Sequence, residues 1–212
     1  MDILYADKRI LVAIKPSGVL STDEEGGMPS LLRGHLGDEK ACVRTVHRLD
    51  AAVQGVMVFA RSAKAASLLS EQIRQRQFEK EYLAVVHGEP PEERQLVDLL
   101  ARDKQRRITY VADAPGKDAQ EARLDYRVLA RHNGLSLVKI RLHTGRTHQI
   151  RVQFASRGWP LVGDRKYGVA DGFGGIALWS HRVAFAHPET GEAVEFAALP
   201  PREGAWELFT LQ

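Results

Sequence analysis

The apolar residues of this chain fall into short blocks with two different periods. In residues 3–20, ILYADKRILVAIKPSGVL, two apolar blocks flank an Asp-Lys turn and end at Lys15-Pro16-Ser17-Gly18. Proline there presets one backbone angle and glycine permits the other, so two short strands and a turn are expected. Residues 21–30, STDEEGGMPS, are polar and Gly-rich and read as a mobile loop, with SLLRGHL beginning a short helix. Val56–Ala60 is short and rich in β-branched and aromatic residues, which predicts a buried strand. Ser62 then offers an N-cap, and Ala65, Leu68, Leu69 and Ile73 recur at helical spacing. Arg74 and Arg76 follow where cations favour the helix dipole, so this is a helix.

The second half of the chain reads mostly as strands. KEYLAVVHG (80–88) is a strand closed by Gly88-Glu89-Pro90, with PPEER as a surface turn. Residues 96–120 are polar, with basic residues at Arg102, Lys104, Arg106 and Arg107, and read as loop or hairpin. ARLDYRVLAR (122–131) and LSLVKIRLH (135–143) alternate on either side of His132-Asn133-Gly134, a strong hairpin signal. TGRTHQIRVQFASRG (144–158) turns at Gly145, offers a cap at Thr147 and carries Ile150 and Phe154 one helical turn apart before Gly158. After the Gly-rich VADGFGGIA, LWSHRVAFAHPETGEAVEFAALP reads as a last hairpin. Strands outnumber helices and short turns join most of them. The expected class is therefore α+β, a central mixed, mainly antiparallel sheet with flanking helices, in a single domain over 1–212.

Composition narrows the picture only a little. At 212 residues, with 44% hydrophobic and 27% charged, the chain can build one sizeable core and is neither disordered nor fibrous. No apolar stretch approaches the roughly 20 residues that cross a bilayer. The start, MDILYADKRI, has no basic segment followed by an apolar one, which points to the cytoplasm. Cys42 is the only cysteine, so no internal disulfide or multi-cysteine metal site is possible; in ACVRTV it reads as a small core thiol. A net charge of +3 permits a nucleic-acid partner without requiring one.

Three patterns carry chemistry. His143 and His148 match no zinc spacing, and no phosphate-binding glycine motif is present, so neither metal nor cofactor is expected. LVKIRLHTGRTHQIRV (137–152) holds Lys139, Arg141, His143, Arg146, His148 and Arg151 with no acid, at a strand-to-helix turn. Such a turn suits phosphate contacts, the competing reading being a solvated polar face. In VHRLDAAVQGVMVFAR (46–61) an aspartate and an arginine stand at the mouth of a buried strand. Apolar surroundings raise a carboxyl pKa and a nearby guanidinium lowers it again, an environment that suits a carboxylate nucleophile at a sugar anomeric carbon. A turn cap paired with Arg48 is the alternative.

These residues resemble the RluA-type RNA pseudouridine synthases. HRLD at 47–50 with Gly55 and a hydrophobic strand, KPSG at 15–18, KEYLAVVHG at 80–88, TGRTHQIRVQFASRGWPLVGDRKYG at 144–168 and SHRVAFAHPETGE at 180–192 are similar to that family's segments, in order, over nearly the whole chain. The resemblance implies a pseudouridine synthase fold with an RNA-binding cleft, and isomerisation of uridine in ribosomal or transfer RNA, in a stem-loop, by a monomer. It implies Asp50 as the nucleophile on a flipped-out uridine, Tyr82 packing on the base and taking part in late proton transfer, and Arg151 forming an ion pair with Asp50. Arg48 would fill the gap left by the flipped nucleotide, while Arg146, His148 and Gln149 would contact the RNA. An isomerisation needs no outside group donor.

The chain departs from the family where Val53-Gln54 replaces a Thr-Ser pair whose hydroxyls would brace the catalytic loop. The same resemblance leads to the expectation that the chain opens directly on the catalytic domain, without the S4 domain that many relatives carry, so that substrate choice would fall to loops such as 21–30 and 96–120. The departure at Val53-Gln54 leaves an alternative, a catalytically impaired RNA-binding or ribosome-assembly protein of the same fold. A hydrolytic glycosidase is a third reading and lacks a second carboxylate.

Overall fold

A computed structural model describes residues 1–116 and 118–211; Lys117, inside the 96–120 stretch, and Gln212, at the end of the expected domain, lie outside it. The chain divides into two compact units, one of Met1–Lys80 with Trp179–Pro200, the other of Glu81–Leu178 with the segment from Pro201.

In the first unit, β1 (Ile3–Ala6) and β2 (Ile10–Lys15) form the expected opening hairpin. Helix α1 (Met28–Leu36) and the two-residue strand β3 (Arg44–Thr45) precede β4 (Gln54–Ala60), which runs antiparallel to β2. Helix α2 (Ala63–Arg74) starts at Ser62, whose side chain accepts the Ala65 N–H at 3.1 Å, as the apolar spacing predicts. Every residue of β4 after Gln54 is buried, because both faces of the strand are covered. One face packs Ile10, Val12, Val56 and Val58 with Ala65, Leu69, Phe78, Val183 and Phe185, where the Phe78 and Phe185 rings stack at 4.9 Å.

The loop expected at 21–30 is only partly a loop. Ser21 and Gly27 are buried, and Met28 already begins α1 and is fully buried. Cys42 is exposed, contrary to the core thiol expected, because only Arg44 and Thr45 of ACVRTV pair as a strand and the chain before them runs over the surface.

In the second unit, β5 (Glu79–His87, of which Glu81 onward belongs to this unit), β6 (Glu93–Asp103), β7 (Ile108–Val111), β8 (Gln120–His132) and β9 (Leu135–Leu142) form antiparallel ladders in the order β5-β9-β8-β6-β7. The β8–β9 turn has positive φ at both Asn133 (49°) and Gly134 (73°), the conformation that Asn-Gly favours. Strand β6 begins inside the PPEER turn and extends to Asp103. Its polar appearance has a physical cause: Asp98 interrupts the inward-facing row of Leu96 and Leu100, and Arg157 satisfies it through hydrogen bonds of 2.9 and 3.0 Å. Helix α3 (Gln149–Ala155) places Val152 against Leu100 and Ala122, and Phe154 against Tyr126 at 5.1 Å.

Strand β10 (Leu178–Ala186) pairs with β11 (Ala193–Ala197) as the closing hairpin and runs parallel to β4, so the sheet is mixed and mainly antiparallel and the class is α+β, as expected. In the β10–β4 pairing Gly55 meets Ser180, and a Cβ on Gly55 would lie 2.3 Å from the Ser180 carbonyl oxygen. With φ at 121° as well, only glycine fits where β4 begins. Among the described residues, no helix is long and apolar enough to cross a membrane.

Candidate active site

Asp50 lies in the first unit on the loop between β3 and β4, half-buried, with the Val53 N–H donating to its carbonyl oxygen at 3.0 Å in a tight turn. Burial alternates through HRLD: His47 and Leu49 point in, Arg48 is exposed, and Asp50 stands at the edge. His47 Nε2 accepts the Val58 N–H at 3.0 Å, which ties the segment to β4. Burial, with Lys80 adding to it, pushes the His47 pKa down to about 3, so this ring is neutral.

Residues 15–21 hold the Asp50 loop from beneath. Lys15 is fully buried, and its Nζ donates to the carbonyl oxygens of Pro16 at 2.8 Å, Val19 at 2.7 Å and Ala51 at 2.9 Å. Gly18 N–H also donates to Ala51 O, at 2.8 Å, and Ser17 Oγ donates to Ala52 O at 3.2 Å. Ser21 Oγ accepts the Leu49 N–H at 3.0 Å and donates to Leu49 O at 2.8 Å. Burial pulls the Lys15 pKa down to about 8, against the Asp50 charge, which works to raise it. The resemblance at KPSG assigns no role to Lys15, and Ser21 stands outside it; an ammonium or hydroxyl aimed at backbone carbonyls leaves no periodic signal in a sequence.

Val53 is buried, and Gln54 opens β4 opposite Trp179. The Thr-Ser braces of the family are thus replaced by an apolar contact and a ladder position, while hydrogen bonds from 15–21 hold the loop.

The remaining candidates lie in the second unit. Tyr82 is buried on β5, paired in register with Ile140 of β9. Arg151 is buried in the first turn of α3, where its Nε and one Nη donate to the two carboxylate oxygens of Asp164 at 2.8 and 2.7 Å. The guanidinium carbon is 5.1 Å from the centroid of the Tyr167 ring. Burial works to raise the Asp164 pKa, but the Arg151 guanidinium and the amides of Lys166 and Tyr167 hold it below the usual carboxylate range. Both Asp164 and Tyr167 fall in GDRKYG, yet nothing in the local pattern shows that the buried partner of an arginine on α3 stands 13 residues further on.

Arg146 is exposed and donates from Nε to Glu121 O at 2.9 Å. His148 contacts the Tyr167 hydroxyl through Nδ1 at 2.6 Å, and that hydroxyl also accepts the Thr109 N–H at 2.9 Å. Gln149 is turned inward: Oε1 accepts from Thr144 Oγ1 at 2.8 Å and the Arg146 N–H at 3.0 Å, and Nε2 donates to Arg123 O at 3.2 Å. Such a placement braces the 144–149 turn and does not suit direct RNA contact. The cap expected at Thr147 is displaced too: His148 precedes the helix in the left-handed region (φ 54°) with no side-chain cap, and the Arg146 N–H is taken up by Gln149. Exposed cations, not a ring of open helix amides, are what this turn offers to a phosphate.

The chain joins an α+β fold with a mixed sheet to a half-buried carboxylate on a braced loop. It superimposes on the human RNA pseudouridylate synthase domain containing 1 with a TM-score of 0.81, at 24% identity over 94% of this chain and 83% of that one. The model of the RNA pseudouridylate synthase family matches residues 9–156, a span that includes Asp50, Tyr82 and Arg151. An uncharacterised RNA pseudouridine synthase of Bacillus subtilis is 35% identical over 97% of this chain and 71% of its own length. A ribosomal large subunit pseudouridine synthase D of Neisseria meningitidis is 33% identical over 95% of this chain and 58% of its own length. The chain belongs to the RNA pseudouridylate synthase family and is an isomerase that converts uridine in RNA to pseudouridine.

Proposed function

We propose that this enzyme isomerises uridine in ribosomal or transfer RNA through Asp50, and that its two units act as one catalytic domain. The observation that carries the assignment is the placement of Asp50: half-buried at the mouth of β4, within reach of the Lys15 charge, on a loop whose backbone is hydrogen-bonded from 15–21. A carboxylate held this way is oriented and only partly solvated, as a nucleophile at a sugar carbon requires.

In the proposed sequence an Asp50 oxygen bonds to C1′ of the flipped uridine as the C1′–N1 bond breaks, its electrons leaving with the uracil. The uracil rotates, C5 bonds to C1′, and the C1′–O bond to Asp50 breaks, restoring the carboxylate. The C5 proton then leaves and N1 takes one up, so nothing is added to or lost from the RNA. Tyr82 packs on the base and serves the C5 proton transfer. Arg151, held by Asp164 through Nε and one Nη, is assigned the role of keeping Asp50 ionised. Arg48, exposed beside Asp50, fills the stack that the uridine leaves. Arg146 and His148 contact the backbone, and Gln149 shapes the turn that presents them. Exposed Arg102, Lys104, Arg106 and Arg107, at the end of β6 and in the β6–β7 turn, add charge for the RNA strand. The substrate is a stem-loop and the enzyme acts as a monomer in the cytoplasm.

Incubating the chain with uridine-labelled transcripts of ribosomal and transfer RNA tests this reading. Pseudouridine with the natural chain and none with Asp50→Asn is expected. Free uracil would indicate a hydrolase, and unchanged uridine in all transcripts a binding protein. A wild-type rate in Asp50→Asn would remove Asp50 as the nucleophile.

A further inference from the structure

Among the groups that hold the Asp50 loop, the Ser21 hydroxyl is distinct in its geometry. It engages both polar groups of one residue, the N–H and the C=O of Leu49, which immediately precedes Asp50. Ser21 is 4% exposed and Leu49 7%, so water competes for neither bond. Ser21 is itself fixed from the other side, where Thr45 Oγ1 donates to its carbonyl oxygen at 2.7 Å. A chain of bonds thus runs from β3 through Ser21 to the peptide that sets the direction in which Asp50 leaves the backbone. By contrast, Ser17 is exposed and makes one bond of 3.2 Å to Ala52.

We infer that Ser21 is a positioning residue for catalysis: its hydroxyl clamps the Leu49 peptide and fixes the approach of the Asp50 carboxylate to C1′. The inference rests on the proposed role of Asp50. It also accounts for the loss of hydroxyls at Val53-Gln54. The Asp50 turn is held ahead of Asp50 by Ser21 at Leu49 and after it by Lys15, Gly18 and Ser17 at Ala51 and Ala52, so positions 53 and 54 are free to carry an apolar residue and an amide. A residue that only stabilised the fold would change the melting temperature. One that positions the nucleophile changes the chemical step while RNA binding is preserved, because misplacement by about 1 Å costs on the order of a hundredfold in rate.

The experiment uses the full chain and a ribosomal or transfer RNA transcript that the natural enzyme modifies. It compares natural protein, Ser21→Ala, Thr45→Val and Asp50→Asn by single-turnover isomerisation at saturating RNA, by RNA affinity and by hydrogen exchange at the Leu49 amide. Ser21→Ala is expected to slow the single turnover about tenfold or more, leave RNA affinity unchanged and speed exchange at Leu49. Thr45→Val, which keeps the hydroxyl of Ser21 and removes only its support, is expected to slow turnover to a lesser degree. If Ser21→Ala does not fold, Thr45→Val decides alone. An unchanged single-turnover rate in the deciding variant overturns the inference, as does a loss of RNA affinity that matches the loss of rate. Asp50→Asn inactive with Ser21→Ala at full rate defeats the positioning role alone; Asp50→Asn at full rate defeats the nucleophile and this inference with it.

Discussion

Asp164→Ala removes the carboxylate that holds the Arg151 guanidinium, and its cost follows from burial. The two side chains, Arg151 and Asp164, are 9% and 0% exposed, and two hydrogen bonds of 2.7 and 2.8 Å join them. A buried pair broken from one side costs about 3–5 kcal/mol, because a charge remains where water cannot solvate it fully. For a chain of this size that is a fall in melting temperature of roughly 6–20 °C. Asp164→Asn keeps an oxygen for the Lys166 and Tyr167 amides and loses the charge and the acceptor for Arg151 Nε, so its cost is smaller than that of Asp164→Ala, about 1.5–3 kcal/mol. The folded pKa of Asp164 lies below its unfolded value, so its contribution is complete above the unfolded pKa of about 3.9. It is lost as pH falls through the folded value. Denaturant unfolding of natural protein and Asp164→Asn should therefore differ at neutral pH and converge under strong acid. A difference below about 1 kcal/mol for Asp164→Ala at pH 7, or one for Asp164→Asn that does not shrink with acid, would refute the buried-pair reasoning.

Two further predictions concern charge. Lys15 loses its proton near pH 8 in the folded chain, so the single-turnover rate should fall on the alkaline side as the ammonium that bonds Ala51 O is neutralised; Lys15→Met should be slow at every pH and lack that limb. The folded pKa lies below the unfolded value of about 10.4, so this group makes the fold more stable, not less, as pH rises between the two. A fall in rate there that tracked unfolding would contradict the account. Neutralising Arg106 and Arg107 together should weaken RNA binding at low salt. On single-stranded RNA the slope of log affinity against log salt should become shallower by about 0.7 for each phosphate the variant no longer neutralises. Measured affinities that keep the natural slope would exclude this turn from the RNA interface.

Most of the fold was legible because its core strands carry continuous or alternating apolar residues and its main helix carries a serine cap. The failures have separate causes. The hairpin reading of 96–120 holds for β6 and β7, but β6 begins earlier, at Glu93 inside the stretch read as a surface turn, and Asp98, which stands in its inward row, is neutralised by an arginine from beyond α3. The cap expected at Thr147 moved one residue because His148 is held in the left-handed region, its ring bonded to Tyr167. Gln149 looked like an RNA contact because an amide in a basic motif suits one, yet its burial gives it three intramolecular bonds. Motif matching singled out Asp50, Tyr82 and Arg151 because each stands inside a segment similar to the family's. Their supporting residues were not legible, since support depends on which loop passes beneath which.

Residues 15–21 show why that distinction matters for function. A lysine in a KPSG turn reads as a surface cation, and a serine in a Gly-rich stretch as solvent-facing. Both are buried because Ile10–Ile14 carries the chain into the sheet and the turn folds back under the Asp50 loop. Once buried, each must satisfy its polar atoms, and the acceptors within reach are carbonyl oxygens, including those of Leu49 and Ala51 on either side of Asp50. The need to satisfy a buried ammonium and a buried hydroxyl thus supplies the rigidity that a nucleophile needs. On this account the family's hydroxyls at positions 53 and 54 are one solution among several, and the decisive quantity is the number of hydrogen bonds that reach the loop, whichever segment they come from.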